Sequence, residues 1–237
     1  MHLVVLYGIV TNEYWYLLLL CGIIVYYPIL ALGQGIGYHK MFSHKAFKPK
    51  KWFPYLSAFI GSISFAGGPL GYALIHRIHH KHVDTELDPH SPMRGRFYAY
   101  IGWIGSYVPP ENERYIVMDL VRQYPWLVAY SKYEWLIFLT FHTTMFLLSP
   151  TLFLIIMMAC LLSMNNSLIV NAFSHDASSE GWSAKDKIWL AKCIGPIFLH
   201  KQHHDDAGKW DYSDGQFKDA TRWFIKNWFA EDPNKVK

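Results

Sequence analysis

Long apolar segments alternate along this chain with shorter polar segments that contain most of its histidines. Residues 14–32 form a run of 19 residues without a charge. As a helix that rises ~1.5 Å per residue, this run covers roughly the ~30 Å hydrocarbon core of a bilayer. A secretory signal peptide would carry Lys or Arg before its apolar core and a small-residue cleavage site after it, and neither is present. We therefore predict a transmembrane helix that Pro28 kinks rather than ends.

A second apolar block covers residues 133–170 and is interrupted by Ser149-Pro150. This pattern predicts a helical hairpin, with one arm that ends at Leu148 and another that begins at Thr151. At the N-terminus, residues 2–10 are also apolar, but nine residues are too few to span a bilayer as a helix.

Residues 52–74 are apolar as well, but they are interrupted by helix-breaking positions, Gly61, Gly67, Gly68 and Pro69. If this segment crossed the bilayer, the histidines before it and those after it would lie on opposite faces. A shared metal site requires an even number of crossings between its ligands, so we predict a re-entrant or interfacial segment. The hairpin then crosses twice and returns the chain to the same face.

The distribution of positive charge supports this topology. No Lys or Arg precedes Lys40, and none lies between Lys132 and Lys185, so all 22 fall in the segments that carry the histidine groups or in the tail. The positive-inside rule makes that face cytoplasmic. A net charge of +4, without a basic-aromatic patch or a Gly-rich phosphate loop, gives no indication of nucleic-acid binding. The three scattered cysteines indicate buried thiols rather than disulfides.

Nine histidines fall at predicted junctions between membrane and cytoplasm. Two HxxHH triplets have the i, i+3, i+4 spacing that places three imidazoles on one helix face. A third pair is spaced i, i+5, which requires a helix end or a local bulge. One further histidine follows an asparagine at i, i+4 where the last apolar helix emerges. In chain order the nine are His39, His44, His76, His79, His80, His175, His200, His203 and His204, and the asparagine is Asn171.

Any one of these histidines alone would be interpreted as an ordinary core or surface residue, but the combination predicts a metal centre. Nine imidazoles can supply two metal ions with four or five ligands each, which suits iron better than tetrahedral zinc. His142, a lone ring in an apolar helix, is predicted to be a hydrogen-bonded packing residue, and His82 and His90 are not predicted to be ligands.

These motifs resemble those of the membrane fatty-acid desaturases of the stearoyl-CoA (Δ9) type. The stretches that carry the resemblance are "GYHKMFSH", "HRIHHKHVDTELDPHSP", "NAFSHDA" and "LHKQHHDD", in the order of that family, with further similarity in "RGRFYAYIGWI" and "DATRWFIKNWF". It covers nearly the whole chain, about residues 3–228, and we interpret residues 1–237 as a single domain.

The resemblance implies an all-α integral membrane protein in which transmembrane helices carry a cytoplasmic helical cap with a di-iron site. It implies all nine histidines as iron ligands and Asn171 as the residue that holds a metal-bound water. It also implies a desaturase that uses O₂ and two external electrons to place a cis double bond, at Δ9, in a fatty-acyl chain. The chain shows no flavin, nicotinamide or cytochrome b5-like motif, so a separate donor of ferredoxin or cytochrome b5 type is expected.

The sequence also departs from the family pattern. "GYALIHRIHH" lacks the Trp and acidic residues that precede the second histidine box of animal acyl-CoA enzymes, so bacterial acyl-lipid enzymes match at least as well. The acyl carrier, whether CoA, glycerolipid or acyl carrier protein, therefore stays open. Two other functions are compatible with the motifs: a histidine-box hydroxylase of the alkane or carotenoid type, and a non-enzymatic zinc-binding membrane protein.

Acidic residues after the second and third histidine boxes are candidates for a layer around the metal ligands. Metal-bound histidines usually donate their other N–H to a carboxylate or a carbonyl, so we expect one or two of these residues to serve in this way. The candidates are Asp84, Glu86, Asp88, Asp205 and Asp206. In the tail, Asp219 is the predicted N-cap of a helix that contains Trp223, Phe224 and Trp228, which fits an interfacial or docked segment.

Overall fold

The computed structural model describes residues 2–179, 181–214 and 216–232, and its regular structure is almost entirely helical. In chain order the α-helices are α1 (His2–Thr11), α2 (Trp15–Pro28), α3 (Phe53–Ile63), α4 (Pro69–His82), α5 (Arg96–Tyr100), α6 (Met118–Gln123), α7 (Trp126–Leu148), α8 (Pro150–Phe173), α9 (Ile188–Cys193), α10 (His200–Asp205) and α11 (Ala220–Phe224). Two π-helical segments, Ile29–Ser43 and Ile225–Phe229, continue α2 and α11. Short 3₁₀ turns occupy Pro92–Arg94, Gly102–Gly105, Glu111–Val117 and Pro196–Phe198.

Two long helices are apolar enough to cross a membrane, judged by length and composition. They are Trp15–Ser43, which joins α2 to its π-helical continuation, and α8, and the mean hydropathy of each is 2.1. The two helices pack together closely, because Gly22 on α2 has no side chain and Met158 on α8 lies against it. The helix predicted over residues 14–32 is therefore present, and it continues through Pro28 without a break.

The predicted break between two helical arms is also present. The hydroxyl of Ser149 accepts a hydrogen bond from the backbone N–H of Leu152, and Pro150 is the first residue of α8, where its missing N–H costs nothing. The first arm, α7, begins at Trp126 and not near Tyr133 as the apolar pattern suggested. Lys132 and Glu134 make α7 less apolar than α8, so the double crossing of the hairpin stays a prediction.

The ambiguous segment 52–74 consists of two helices and a turn. α3 has 11 residues, ~16 Å at 1.5 Å per residue, which is too short to span a bilayer. It ends in a turn at Phe65 and Gly67, both of which have positive φ, and α4 begins directly after Gly68. The segment is therefore not a single spanning helix, in agreement with the sequence-based interpretation. α1, with ten residues, is also too short to span.

The C-terminal segment is docked against the helices that lead to the histidines. Asp219 caps α11 as predicted, because its carboxylate accepts a hydrogen bond from the backbone N–H of Thr221 at 2.8 Å. In the π-helical turn that follows, Phe229 stacks on Phe53 of α3, with ring centroids 4.2 Å apart. The outer face of this segment exposes Trp223, Phe224 and Trp228.

The all-α prediction is wrong in one detail. An antiparallel hairpin follows α8, formed by β1 (His175–Ser178) and β2 (Gly181–Ala184), with His175 paired to Ala184. The sequence becomes polar after α8, and Gly181, the first residue of β2, adopts a φ of 112°, a conformation that favours glycine. This hairpin fixes the position of His175.

Candidate metal centre

The π-helix explains the i, i+5 spacing of the first histidine pair. In a π-helix residue i+5 donates to the carbonyl of residue i, so these two residues lie above one another. The backbone N–H of His44 donates to the carbonyl of His39 at 3.1 Å, and the centroids of the two imidazole rings are 4.9 Å apart. The predicted bulge or helix end is thus confirmed, because the π-helix ends at Ser43, next to His44.

The two HxxHH triplets lie on helices, on α4 and α10, as their spacing predicted. The three imidazoles of each triplet nevertheless diverge and do not meet at one point. On α4, His76 and His79 lie about 60° apart around the helix and about 4.5 Å apart along its axis, and the two rings face different neighbours. A shared helix face therefore does not bring the three imidazoles of a triplet to the same cluster. Each helix instead contributes to two neighbouring clusters.

The histidines form two buried clusters in which all ligand nitrogens lie within 4.8 Å of one another. Cluster A contains His39, His44, His76 and His203, and cluster B contains His79, His175, His200 and His204. His80 lies between the clusters: its Nε2 is 2.7 Å from Nε2 of His203, and its ring stacks on that of His204 with centroids 4.4 Å apart. The structure therefore brings all nine predicted histidines to one place.

The donor set fits metal ions. Neighbouring Nε2 atoms in the two clusters lie 2.7–3.2 Å apart. Adjacent ligands on a six-coordinate ion with ~2.1 Å bonds are ~3 Å apart, compared with ~3.4 Å on a tetrahedral ion. Because all ligand nitrogens of a cluster lie within 4.8 Å of one another, each cluster can share one ion.

Burial keeps these imidazoles in the neutral form that binds metal. It lowers the pKa of His76, His79, His200 and His203 well below the usual value. The pKa of His44 is lowered to about 3, by burial first and then by the charge of Arg77. Imidazoles that stay unprotonated near neutral pH offer their lone pairs to a cation without first losing a proton.

Two of the five candidate carboxylates contact histidines of cluster B at Nδ1. Asp88, fully buried, accepts a hydrogen bond from Nδ1 of His79 at 2.9 Å, and Asp84 accepts one from Nδ1 of His175 at 2.9 Å. These bonds place the proton on Nδ1 and leave Nε2 free for a metal. Among the described residues, the other three candidates, Glu86, Asp205 and Asp206, make no hydrogen bond to a histidine.

Two further residues contact histidines of the clusters and were not predicted from the sequence as part of the site. The hydroxyl of Tyr212 lies 3.0 Å from Nδ1 of His203. His90 is buried with its ring 4.3 Å from that of His79, and His79, Asp88 and His90 form a third group of possible donors. Because Nδ1 of His79 is already bonded to Asp88, this group is the outer layer of cluster B. Tyr212 belongs to no motif with a recognisable spacing. His90 lies in the turn-like sequence "DPH", directly after the second histidine box, and could have been identified there.

A buried ion pair next to cluster A was also missed. The ammonium of Lys40 donates to the carboxylate of Asp219 and to the hydroxyl of Thr221, both at 2.7 Å, and to the carbonyl of Trp210 at 2.8 Å. These contacts fasten the C-terminal segment to the π-helix, one residue after His39. The available signal was the position of Lys40, the first basic residue of the chain, immediately after a predicted ligand.

Asn171 lies near the clusters but not in the relation to His175 that was expected. α8 ends at Phe173, and His175 belongs to β1, so the two residues do not share a helix face. Asn171 instead lines a cavity of about 350 Å³ together with His76. Its carboxamide makes no hydrogen bond to the described residues, so it is available to a molecule in that cavity.

Two cavities lie on different sides of the π-helix. The cavity of about 350 Å³ is lined by His76, His90, Gln34, Asn171 and apolar side chains that include Phe65 and Leu168. The other, about 460 Å³, lies between the π-helix, α9 and the C-terminal segment, and His39 is the one member of cluster A or B among its walls.

The histidines that were not expected to be ligands lie outside both clusters. His142 donates through Nε2 to the carbonyl of Ile63 at 2.9 Å and packs against Phe138, which confirms its structural interpretation. Nε2 of His82 lies 3.2 Å from the carboxylate of Glu113.

Among the described residues, eight imidazoles in two adjacent clusters, with His80 between them, form a donor set that could hold metal ions, in a chain with two helices long and apolar enough to cross a membrane. The family model for fatty acid desaturases matches residues 13–229, and the chain belongs to this family. A relative from Nostoc sp. (strain 36), "sn-2 palmitoyl-lipid 9-desaturase", is 32% identical over 73% of this chain and 65% of its own length. "Delta-9 acyl-lipid desaturase 1" of Arabidopsis thaliana is 29% identical over 76% of this chain and 62% of its own. The matched part thus spans less than two thirds of these relatives.

Proposed function

We propose that this chain is an O₂-dependent acyl desaturase that introduces a cis double bond at Δ9. The observation that carries the proposal is the meeting of nine histidines, five of them buried and four half-buried, one of which, His76, forms part of the wall of a largely apolar cavity. The names of the relatives support the reaction, its position and a lipid-linked acyl substrate. The lysines and arginines on the histidine-bearing segments support a cytoplasmic active site.

Two iron ions would supply the reduction of O₂, which no side chain can perform. Cluster A would hold one ion and cluster B the other. His80 lies between the clusters, where it could be a ligand of either ion. Asp84, Asp88 and Tyr212 orient three of the imidazoles through Nδ1. Asn171, which has a free carboxamide in the cavity, would hold a water molecule beside the site.

The cavity of about 350 Å³ is the site we assign to the acyl chain, because it alone is lined by both His76 and Asn171. Its apolar side chains would contact the acyl chain and fix which methylenes approach the histidines. In the overall reaction two adjacent methylenes lose two hydrogens with their electrons. Two further electrons come from an external donor of ferredoxin or cytochrome b5 type and two protons from solvent, so that O₂ becomes two water molecules.

Expression in a desaturase-deficient host, followed by gas chromatography and mass spectrometry of its lipids, tests this proposal. We expect a cis-Δ9 monounsaturated acyl chain from the wild type and from His82→Ala, and none from His76→Ala. A hydroxylated acyl chain would instead indicate a hydroxylase. The absence of any new product from a folded, iron-loaded protein supplied with both donor types would contradict the proposal, and stoichiometric zinc would favour the binding protein.

A further inference from the structure

The residues behind cluster B carry negative charge that no Lys or Arg neutralises. The carboxylate of Asp88 is fully buried and accepts hydrogen bonds from Nδ1 of His79 and from the backbone N–H groups of Asp84 and His90. The carboxylate of Asp84 contacts Nδ1 of His175. Among the described residues, histidines are the only side chains that form ion pairs with either carboxylate.

The hydrogen-bond partners and charges around cluster A differ from those around cluster B. The one hydrogen-bonded partner of cluster A at Nδ1, among the described residues, is the neutral hydroxyl of Tyr212 on His203. Three cations follow its ligands in sequence, Lys40 after His39, Lys45 after His44 and Arg77 after His76. Lys40 pairs with Asp219 at 2.7 Å, and Asp119 pairs with both Arg77, at 2.7 Å, and Lys45, at 3.1 Å. The carboxylates in this part of the site therefore already have cationic partners within the protein.

Buried carboxylates that face neutral imidazoles are costly unless a positive charge compensates them. An imidazole that donates Nδ1–H to a carboxylate is also a more basic ligand than one that donates to a phenol. Both effects favour a metal ion at cluster B, since Asp84 and Asp88 each accept a hydrogen bond from one of its four histidines.

We propose that the two clusters are unequal: cluster B is the tight site, whose ion neutralises Asp84 and Asp88, and cluster A holds the exchangeable ion. The inference rests on the proposed two-metal centre but not on the reaction that it catalyses. It also assigns the weaker site to the cluster that meets the proposed acyl cavity, through His76. Asp84 and Asp88 act as positioning residues that determine how firmly the second ion is held.

Anaerobic release of Fe²⁺ to the chelator ferrozine, from the full-length chain in detergent, measures this difference. We expect the wild type to lose one iron in a fast phase and one in a phase at least ~10-fold slower. Asp84→Asn and Asp88→Asn keep the shape of the side chain and remove its charge. Each should accelerate the slow phase by about 10- to 100-fold, the usual effect of replacing such a partner.

Three further variants make the assignment specific. His44→Ala, which disables cluster A, should retain only the slowly released iron. Tyr212→Phe and Glu86→Gln should leave the slow phase unchanged, since the first acts on cluster A and the second removes the charge of an exposed side chain that contacts neither cluster.

Release of both wild-type irons in one phase would overturn the inference. So would an unchanged slow phase in both Asp variants, or a fast phase that survives in His44→Ala. A protein that releases two irons in two such phases but makes no unsaturated product would contradict the proposed reaction and leave this inference intact.

Discussion

Asp219 joins three parts of the molecule through one carboxylate. It pairs with Lys40 of the π-helix, accepts a hydrogen bond from the backbone N–H of Tyr212, and caps α11 through Thr221. Both charged groups are buried, so the ammonium of Lys40 has no access to water if its partner is removed. Tyr212 in turn contacts His203, so the pair also supports cluster A.

Asp219→Asn should therefore lower the free energy of unfolding by about 3–5 kcal/mol, the usual effect of leaving one buried charge unpaired. Thermal unfolding of the detergent-solubilised protein measures this. Glu231→Gln is the matched control, because it removes a solvent-exposed ion pair with Lys48 and should cost less than about 1 kcal/mol. Equal effects of the two substitutions would show that the buried pair has no special role.

Asn171 is the one non-histidine that we place beside the metals. Asn171→Ala should keep both irons and lose most of the desaturase activity, because the carboxamide holds a water molecule and not the ion itself. Iron content and lipid product are measured on the same preparation. Asn166→Ala is the control: Asn166 is buried on α8 with no hydrogen-bond partner for its amide, and both properties should persist. Wild-type product from Asn171→Ala, or loss of its iron, would refute the role.

At the scale of elements, glycines let the π-helix approach α3. A Cβ at Gly37 would lie 1.6 Å from the hydroxyl oxygen of Ser57, and one at Gly33 would lie 2.9 Å from the backbone nitrogen of Gly61. Small residues of this kind allow membrane helices to pack backbone to backbone. The contact holds the segment that carries His39 and His44 against α3.

Gly37→Ala should therefore shift the π-helix and destabilise the protein by about 1–3 kcal/mol or more, the usual range for overpacking. Because the shift reaches His39, iron binding should weaken as well. Gly35→Ala tests the same segment away from the contact, since its Cβ would meet only the carbonyl of Leu30, at 3.3 Å. Its effect should stay within about 1 kcal/mol. If both variants unfold and bind iron alike, the close approach does not position the ligands.

Periodicity predicted the helices, because apolar runs and Ser149-Pro150 are local signals. The i, i+5 spacing of His39 and His44 indicated an irregular helix, but not a π-helix that begins at Ile29. Its length depends on packing against α3 and α8, which no local pattern records. The division of each HxxHH triplet between two clusters has the same origin, since it depends on where the other helices place their histidines.

The outer layer of the site was predictable only in part. Acidic residues next to the second box were correct candidates, but the choice of Asp84 and Asp88 depends on the turn between them. Asp84 adopts a φ of 56°, and its backbone N–H donates to Asp88. Tyr212 and Asp219 come from a segment that is distant in sequence from the residues they contact. Such tertiary contacts carry no short-range signal.

For the whole molecule, the arrangement in the membrane is the main expectation from the sequence. Single cysteines at positions 45, 81 and 201, in a background without Cys21, Cys160 and Cys193, should resist a membrane-impermeant maleimide in intact cells. A cysteine at position 149 should react. The reason is that the positive-inside rule predicts a cytoplasmic location for the Lys- and Arg-bearing segments and the opposite side for the α7–α8 turn. Labelling of position 81 from outside, without positions 45 and 201, would place a crossing in residues 52–74 and exclude a shared site.

The central claim is that two metal ions occupy the two histidine clusters. Elemental analysis of the protein purified from iron-replete cells measures this most directly. We predict two irons per chain for the wild type and for His82→Ala, and about one for His44→Ala, which leaves cluster B intact. Stoichiometric zinc in the wild type, or full iron content in His44→Ala, would contradict the account.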